Sequence, residues 1–408
     1  MNKKKIINDP LYGFVQITSP LIFDIIQHPI FQRLRRIKQL GLAELVYPGA
    51  LHTRFHHALG AMHLMTITLE NLRSKGYTIT EQEQEAAQIA ILLHDVGHSP
   101  MSHALEYSLL HNIHHEEISL LLMQKLNAEM HQQLALALQI FQNQYSRKFL
   151  HQLISSQLDM DRLDYLQRDS FFTGVHEGTI GADRIIKMLA LHNDELVVEE
   201  KGIYSIENFL HARRLMYWQV YLHKTNIASE QVLIQIFQRV RHLIAQKQPL
   251  QAMPNLQPFL EQRIDLELLS TQETYLQHYI QLDDYDIWAS IKLWTRHPDR
   301  ILATLCQMLL ERKLFKITIS MQPFDHAWIE QQKQIVLEKL TRKQLPVEAL
   351  PYFFVLGSTH NKAYASTEEQ IKILTKRGEV LDIAQASDLP TIKALRKMVT
   401  KYYCCTIA

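Results

Sequence analysis

Helical periodicity with few interruptions by glycine or proline is the feature that most constrains the fold of this chain. Its 408 residues include only 12 glycines and 13 prolines. The clearest helix is predicted after Thr80, an N-cap residue followed by Glu83 three positions later and by apolar residues up to Gly97. Similar patterns continue to about residue 170 and again from Ile206 to about Lys247. Residues 1–247 are therefore predicted to form a mainly α domain.

Strand signals become common only near the C-terminus. Four segments there combine β-branched and aromatic residues with intervening turn residues: KLFKITIS, YFFVLGS, QIKILTKRGEVLDI and KYYCCTI. Residues 248–408 are therefore predicted to form a smaller region of helices and α+β structure that supports assembly. The stretch from Gln248 to Gln257, which contains two prolines, is the predicted hinge.

Composition narrows the functional classes. With 43 Lys and Arg against 42 Asp and Glu, the net charge of +1 gives no general attraction to nucleic acid, which is not expected as the main partner. No apolar run is long enough to span a membrane and the N-terminus lacks an export signal, so a cytoplasmic protein is expected. Cys306, Cys404 and Cys405 lack the spacing of a zinc site. The 22 histidines, several of them between His52 and His115, stand out.

The segment ILLHDVGHSP indicates a metal site. His94 and Asp95 are neighbours at a predicted helix end, where their side chains diverge by roughly 100° and can reach one ion. Imidazole and carboxylate ligands suit iron, manganese, zinc or nickel. A histidine and a capping carboxylate at a helix end would be the structural alternative. Further ligands are offered by His57 in TRFHH and by Asp159, Asp161 and Asp164 in LDMDRLDYLQRD. Of these aspartates, Asp159 and Asp164 also suit caps or salt bridges.

Seven segments, in order and spacing, resemble the deoxynucleoside triphosphate triphosphohydrolases of the HD superfamily: INDPLYG, FQRLRRIKQLG, YPGALHTRFHHALG, LLHDVGHSPMSH, HHEE, DMDRLDYLQRD and HARRLMYWQVYLHK. The resemblance is to vertebrate members, which carry a fused sterile-alpha-motif domain, and to bacterial members, which do not. It implies an HD-domain helical bundle and hydrolysis of deoxynucleoside triphosphates to deoxynucleoside and inorganic triphosphate. It also implies a divalent metal ion (iron, manganese, magnesium, zinc or nickel) and a homo-oligomer, a dimer or tetramer.

The same resemblance assigns roles to residues. The metal ligands would be His57, His94, Asp95 and Asp161. Phosphate contact or proton transfer would fall to His98, His103 and His115, with Glu106 orienting the imidazole of His103. The polyphosphate would contact Arg54, Arg162 and Arg213. The deoxynucleoside would contact Gln39, Tyr165, Asp169 and Tyr221. Of these, the Tyr165 ring would leave no room for a 2′-hydroxyl group.

Three positions depart from the vertebrate pattern. Glu106 replaces an aspartate, Arg162 replaces a lysine, and Gln27 replaces an aspartate that reads guanine in an activating nucleotide. Because an amide offers one acceptor oxygen and no charge, guanine-specific activation is expected to be weakened, altered or absent. Two other functions remain open: an HD phosphohydrolase acting on another nucleotide, or a non-catalytic nucleotide-sensing scaffold.

Overall fold

The computed structural model describes residues 5–105, 109–110, 113–361, 364 and 370–408, without the side chains of His103 and Thr391. The described chain is mainly α, as predicted. The first ten helices are α1 (Pro20–Gln27), α2 (Pro29–Gln32), α3 (Arg54–Ser74), α4 (Glu81–Leu93), α5 (His115–Glu129), α6 (Ala135–Phe141), α7 (Lys148–Gln152), α8 (Met160–Thr173), α9 (Ala182–Met188) and α10 (Ile203–Met216). A π-helical turn, Tyr217–Tyr221, then leads to α11 (Lys224–Ala245).

The later helices are shorter on average. They are α12 (Gln257–Glu261), α13 (Leu266–Thr271), α14 (Glu273–Gln281), α15 (Asp284–Trp294), α16 (Arg300–Leu310), α17 (His326–Arg342), α18 (Leu350–Phe353), α19 (Ile383–Ala386) and α20 (Pro390–Ala394). Helix α16 packs on α11, so the second predicted region covers the first. In the described ranges every helix is too short or too polar to cross a bilayer.

Local signals explain why α4 begins where the sequence predicts. The Thr80 hydroxyl accepts from the Glu83 N–H at 3.1 Å, and the Glu83 carboxylate accepts from the Thr80 N–H at 2.8 Å. This capping box satisfies two backbone donors that the helix leaves free. The helix ends at Leu93, four residues before Gly97, so His94 is its C-cap residue. Helix α3 packs against both α4 and α8, and the three helices carry the candidate site.

Nine strands form three sheets in the described chain. They are β1 (Lys5–Asp9), β2 (Gly13–Ile17), β3 (Leu189–His192), β4 (Glu195–Glu199), β5 (Lys316–Ser320), β6 (Phe354–Asn361), β7 (Lys372–Leu374), β8 (Val380–Asp382) and β9 (Val399–Thr406). The sheet orders are β1-β2, β3-β4-β7-β8 and β5-β9-β6. All four C-terminal strand segments predicted from the sequence form strands. The hairpins β1-β2 and β3-β4 are additional to the prediction.

The sheet β3-β4-β7-β8 joins the two predicted regions. Strand β4 pairs in parallel with β7, with Val198 opposite Ile373. The β3-β4 hairpin turns through Asn193 and Asp194, both at positive φ (52° and 61°). This is the backbone of a two-residue hairpin turn, which Asn and Asp tolerate better than most residues. The division at residue 247 remains a prediction.

Candidate active site

Three helix ends bring the predicted metal ligands together. His57 lies in the first turn of α3, His94 caps the C-terminus of α4, and Asp161 lies in the first turn of α8. Ligand atoms of these three residues all lie within 4.8 Å of one another. The His57 Nε2 atom is 3.1 Å from Asp161 Oδ1, and the His94 Nε2 atom is 3.5 Å from the same oxygen. Residues more than 100 positions apart therefore share one centre.

Asp95, the fourth predicted ligand, lies beside the same two histidines. Its Oδ1 atom is 3.5 Å from His94 Nε2, and its Oδ2 atom is 3.8 Å from His57 Nε2. The Arg54 guanidinium also donates to Asp95 and, at 2.9 Å, to the Ser102 hydroxyl. Asp95 thus faces the metal centre with one side and a cation with the other.

The two histidines are arranged as metal ligands rather than as ordinary buried polar groups. In both residues the Nδ1 atom is engaged in a hydrogen bond. Nδ1 of His57 lies 2.7 Å from Asp164 Oδ2, and Nδ1 of His94 lies 2.6 Å from the Ile91 carbonyl oxygen. A carbonyl can only accept, so Nδ1 of His94 must carry the proton and its neutral ring has the lone pair on Nε2. Both Nε2 atoms are buried and lack a hydrogen-bond partner among the described residues. A divalent cation fits this donor set.

The charges of the centre also favour a cation. Burial lowers the pKa of His57, but the carboxylates of Asp161 and Asp164 outweigh burial and raise it to about 10. The pKa of His94 is raised as well, because Asp95 and Asp161 outweigh its burial. Burial raises the pKa of Asp161, but the two imidazoles outweigh it and hold that pKa far below its ordinary value. A metal ion would replace the protons that the imidazoles hold in its absence.

A buried ion-pair network orients His57. Arg168 donates to the Asp164 carboxylate at 2.9 and 3.0 Å and to Asp9 at 2.8 Å. Asp164 and Arg168 are both fully buried. Gly60 makes this arrangement possible, since a Cβ atom there would lie 2.0 Å from Asp164 Oδ1. The sequence offered Asp164 as a candidate ligand or a salt-bridge partner, and its spacing of four residues from Arg168 on α8 fits the ion pair.

Two of the three predicted phosphate-binding arginines form ion pairs with metal ligands: Arg54 with Asp95 and Arg162 with Asp161. Arg162 donates to Asp159 Oδ2 at 2.8 Å and lines a cavity with His94, Asp95 and Asp161. Asp159 is the N-cap of α8, as its pattern allowed.

The two other arginines are held by neutral or acidic partners. Arg213 donates to Gln157 at 3.1 Å, and Arg54 is held by Asp95. The Nε atoms of Arg54, Arg162 and Arg213 are buried without a hydrogen-bond partner in the described chain.

His98 and His115 lie on the other side of Asp95. Their rings stack with centroids 3.8 Å apart, and His98 Nε2 is 3.3 Å from Asp95 Oδ1. Burial, followed by the charge of Arg54, holds the pKa of His98 well below its ordinary value, so this imidazole is neutral. His115 also lines the cavity with the metal ligands.

The predicted relay between His103 and Glu106 is only partly described. His103 belongs to a 3₁₀ turn, Ser102–Ala104, but its side chain lies outside the described residues. Glu106 lies wholly outside them. Its predicted role therefore stays a prediction.

A second cavity adjoins the metal centre. The metal-side cavity, about 450 Å³, and this second cavity, about 420 Å³, share Tyr165 and Tyr217 as walls. All four predicted nucleoside contacts line the second cavity: Gln39, Tyr165, Asp169 and Tyr221. We call it the nucleoside cavity. Tyr217 also lies in its wall, and the π-helical turn after α10 carries both Tyr217 and Tyr221.

Asp169 is fixed by two neighbours. Its Oδ1 atom lies 2.7 Å from His52 Nε2, and its Oδ2 atom accepts from the Tyr221 hydroxyl at 2.8 Å. Each oxygen keeps a further lone pair for a ligand hydroxyl group. His52 does not line the cavity itself but supports its wall through this contact with Asp169.

Comparison with known proteins agrees with this geometry. The HD domain family matches residues 54–169, and the HD associated region matches residues 180–261. A crystal structure of a phosphohydrolase from Bacteroides thetaiotaomicron superposes with a TM-score of 0.94 at 50% identity, covering 99% of this chain and 100% of that one. The chain belongs to the HD superfamily of phosphohydrolases. Members of this superfamily bind divalent metals, in agreement with the donor set above.

Other relatives of this HD phosphohydrolase match over different lengths. The uncharacterized protein YwfO of Bacillus subtilis is 29% identical over 422 residues, 99% of this chain and 92% of that protein. The deoxynucleoside triphosphate triphosphohydrolase SAMHD1 homolog of Dictyostelium discoideum is 29% identical over 252 residues, 57% of this chain and 49% of that protein. The similarity to this SAMHD1 homolog therefore covers about half of each chain.

Proposed function

We propose that this HD phosphohydrolase hydrolyses deoxynucleoside triphosphates to deoxynucleoside and inorganic triphosphate. The observation that carries the proposal is the pair of adjoining cavities, one with metal ligands and Arg162, the other with tyrosines and Asp169. A nucleotide placed across the shared wall of Tyr165 and Tyr217 would have its phosphates beside the cations and its sugar beside Asp169. The similarity to SAMHD1 proteins, which are named for this activity, supports the same substrate.

In the proposed reaction the metal would be held by His57, His94, Asp95 and Asp161. A divalent cation there supplies positive charge beside the phosphate and lowers the pKa of water toward neutrality. Arg54, Arg162 and Arg213 would bind the polyphosphate with forked N–H donors. The departing 5′-oxygen needs a proton, and His98, His103 and His115 are the proposed residues for phosphate contact and proton transfer, with Glu106 proposed to orient the imidazole of His103.

The sugar would be recognised by a rigid wall. Tyr165 packs edge-on against Tyr221 with centroids 6.1 Å apart, and Tyr221 is hydrogen-bonded to Asp169. A ring held in this way can exclude a 2′-hydroxyl group sterically, which a soft apolar pocket does poorly. Gln39 and Asp169 would bind the 3′-hydroxyl group.

One assay tests the proposal. The metal-loaded protein is incubated with the four dNTPs, GTP and dGMP, and the products are separated by chromatography. Deoxynucleoside with intact triphosphate is the expected result. Orthophosphate release would instead identify a phosphatase of another nucleotide. A thermal shift without turnover would identify a nucleotide-sensing scaffold. The double variant His94→Ala with Asp95→Ala should lose metal and turnover together.

Activation and assembly are part of the proposal. Gln27 ends α1, while Arg35 donates to Gln32 at 2.9 Å and lies 3.6 Å above the Phe55 ring. With an amide at position 27, addition of GTP is expected to give no large rate increase. We propose a homo-oligomer, dimer or tetramer, which light scattering of the purified protein would test.

A further inference from the structure

Glu230 is an acidic side chain of the nucleoside cavity that the proposed chemistry does not use. It lies on α11, one turn after Asn226, and both residues line the cavity. Its Oε1 atom accepts from Asn226 Nδ2 at 3.2 Å, its only hydrogen bond recorded within the described chain. Asp169, by contrast, has both oxygens engaged by His52 and Tyr221.

Asn226 fixes the orientation of this carboxyl group. Its Nδ2 atom also donates to the Tyr221 carbonyl at 3.2 Å. Two acceptors on one side of the amide require the NH₂ group there, so the assignment of its nitrogen and oxygen follows from the partners. Asn226 is buried, with 4% of its surface exposed. It therefore holds one carboxyl oxygen of Glu230 and leaves the other for a ligand.

The lining of the nucleoside cavity excludes the phosphate end of a nucleotide. Among the residues that the structure describes, those lining it include no lysine or arginine. The titratable groups among them are acids and phenols: Asp169, Glu230, Tyr165, Tyr217 and Tyr221. A polyanion would be repelled here, whereas a sugar and base carry no charge.

Glu230 also forms no ion pair with a lysine, arginine or histidine in the described part of the chain. Burial raises its pKa to about 7, and the hydrogen bond from Asn226 opposes burial only in part. Tyr403 on β9 faces it as well: burial, then Cys405, then Glu230 raise the pKa of Tyr403 to about 12. A carboxyl group desolvated in this way gains from any ligand that supplies an N–H donor.

We propose that Glu230, positioned by Asn226, reads the hydrogen-bonding edge of the base and favours guanine, adenine and cytosine over thymine. The first three bases carry an exocyclic amino group that can donate to the carboxyl oxygen. Thymine has no exocyclic amino group, and its single ring N–H lies between two carbonyl oxygens, whose lone pairs would be placed beside the unprotonated carboxyl group. The inference rests on the proposed dNTP hydrolysis and adds its base preference.

The test compares kcat/KM and Kd for the four dNTPs and for base-free 2-deoxyribose 5-triphosphate. Wild type is expected to favour the amino-bearing dNTPs over dTTP by about tenfold or more, since a site built for a donor rejects a ligand that lacks it. Glu230→Gln keeps the size of the side chain but adds an NH₂ donor for a thymine carbonyl, so the ratio should fall to within about threefold. Turnover of the base-free substrate should not change.

Controls separate base reading from general damage. Glu338→Gln makes the same substitution on the exposed surface of α17 and should leave every ratio at the wild-type value. Asn226→Ala should reduce the preference in kcat/KM for the amino-bearing dNTPs over dTTP. Because Asn226 only positions Glu230, the change is expected in KM rather than in kcat. Melting temperatures verify that each variant is folded.

Two results would overturn the inference. One is an unchanged base ratio in Glu230→Gln; the other is an equal loss on all five substrates, the base-free one included. If the proposed function itself is wrong, the result is different: the wild-type protein turns over none of the substrates. Dissociation constants from calorimetry would then still decide whether Glu230 sets the preference for the base.

Discussion

Removing the charge of Asp164 tests whether the metal centre depends on the buried network behind it. Asp164 is not one of the grouped residues that could hold the ion, but its carboxylate lies 2.7 Å from His57 Nδ1 and is paired with Arg168. Asp164→Asn keeps the side-chain shape and removes the negative charge. We expect weaker metal binding by a protein that still folds.

The size of the effect follows from the contacts. A buried hydrogen bond between charged groups is worth about 1.5–3 kcal/mol, which corresponds to roughly 10- to 150-fold in affinity. Replacing a carboxylate that is hydrogen-bonded to a metal-binding histidine typically lowers metal affinity about 10–100-fold, which agrees with this range. Breaking a buried ion pair costs about 3–5 kcal/mol of stability. The loss of stability is expected at the lower end of this range, because Arg168 keeps its hydrogen bond to Asp9 at 2.8 Å.

Asp9→Asn is the matched control, since Asp9 pairs with Arg168 and makes no recorded contact with His57. Mn²⁺ affinity is measured by isothermal titration, and stability by urea denaturation. Asp9→Asn should lower stability and leave metal affinity within about twofold of wild type. Equal metal affinity in wild type and Asp164→Asn would refute the reasoning. An equal loss in the two variants would also refute it, because the effect would then be general destabilisation.

Four further outcomes are expected. Gly60→Ala places a methyl group against the Asp164 carboxylate, so the same titration should show metal binding weakened tenfold or more. Metal affinity should fall about tenfold for each pH unit below 10, since a proton on His57, whose pKa is about 10, competes with the ion; equilibrium dialysis at pH 6–9 measures this. The pKa of Glu230 rises from 4.5 to about 7 on folding, so the folded state binds more protons in that window. The unfolding free energy of wild type should therefore decrease as pH rises from 4.5 to 7, relative to Glu230→Gln. Tyr165→Ala should raise GTP turnover relative to dGTP, whereas Tyr165→Phe should not.

Features encoded by neighbouring residues were predictable from the sequence. The capping box of Thr80 and Glu83 fixes the start of α4 through contacts three residues apart. Runs of β-branched and aromatic residues predict the C-terminal strands. The β3-β4 hairpin was missed because its strands have four and five residues, and LALH and ELVVE fit a helix as well as a strand. Its turn residues, Asn193 and Asp194, were the available signal.

In the candidate site, too, contacts between residues close in sequence could be predicted, and contacts between residues far apart in sequence could not. The ligand residues could be named from their motifs, but the supporting contacts could not. The pairing of Asp164 with Arg168 is visible in the spacing, whereas the contact of Asp9 with Arg168 spans 159 positions. Tyr217 lines the cavity as the first residue of a π-helical turn, which the sequence pattern did not predict.

These distant contacts decide whether the centre is formed before the metal arrives. The carboxylates of Asp164 and Asp9 hold Arg168, and the absence of a side chain at Gly60 leaves room for that ion pair against α3. The His57 ring is thereby fixed in a fully buried position with Nε2 directed at Asp161. A centre built in this way loses little conformational entropy on binding, so its affinity depends on groups that never touch the ion. A motif search that scores only the four ligands would therefore give the same result for a chain with alanine at position 60, although a Cβ atom there would lie 2.0 Å from Asp164 Oδ1 and displace the carboxylate that holds His57.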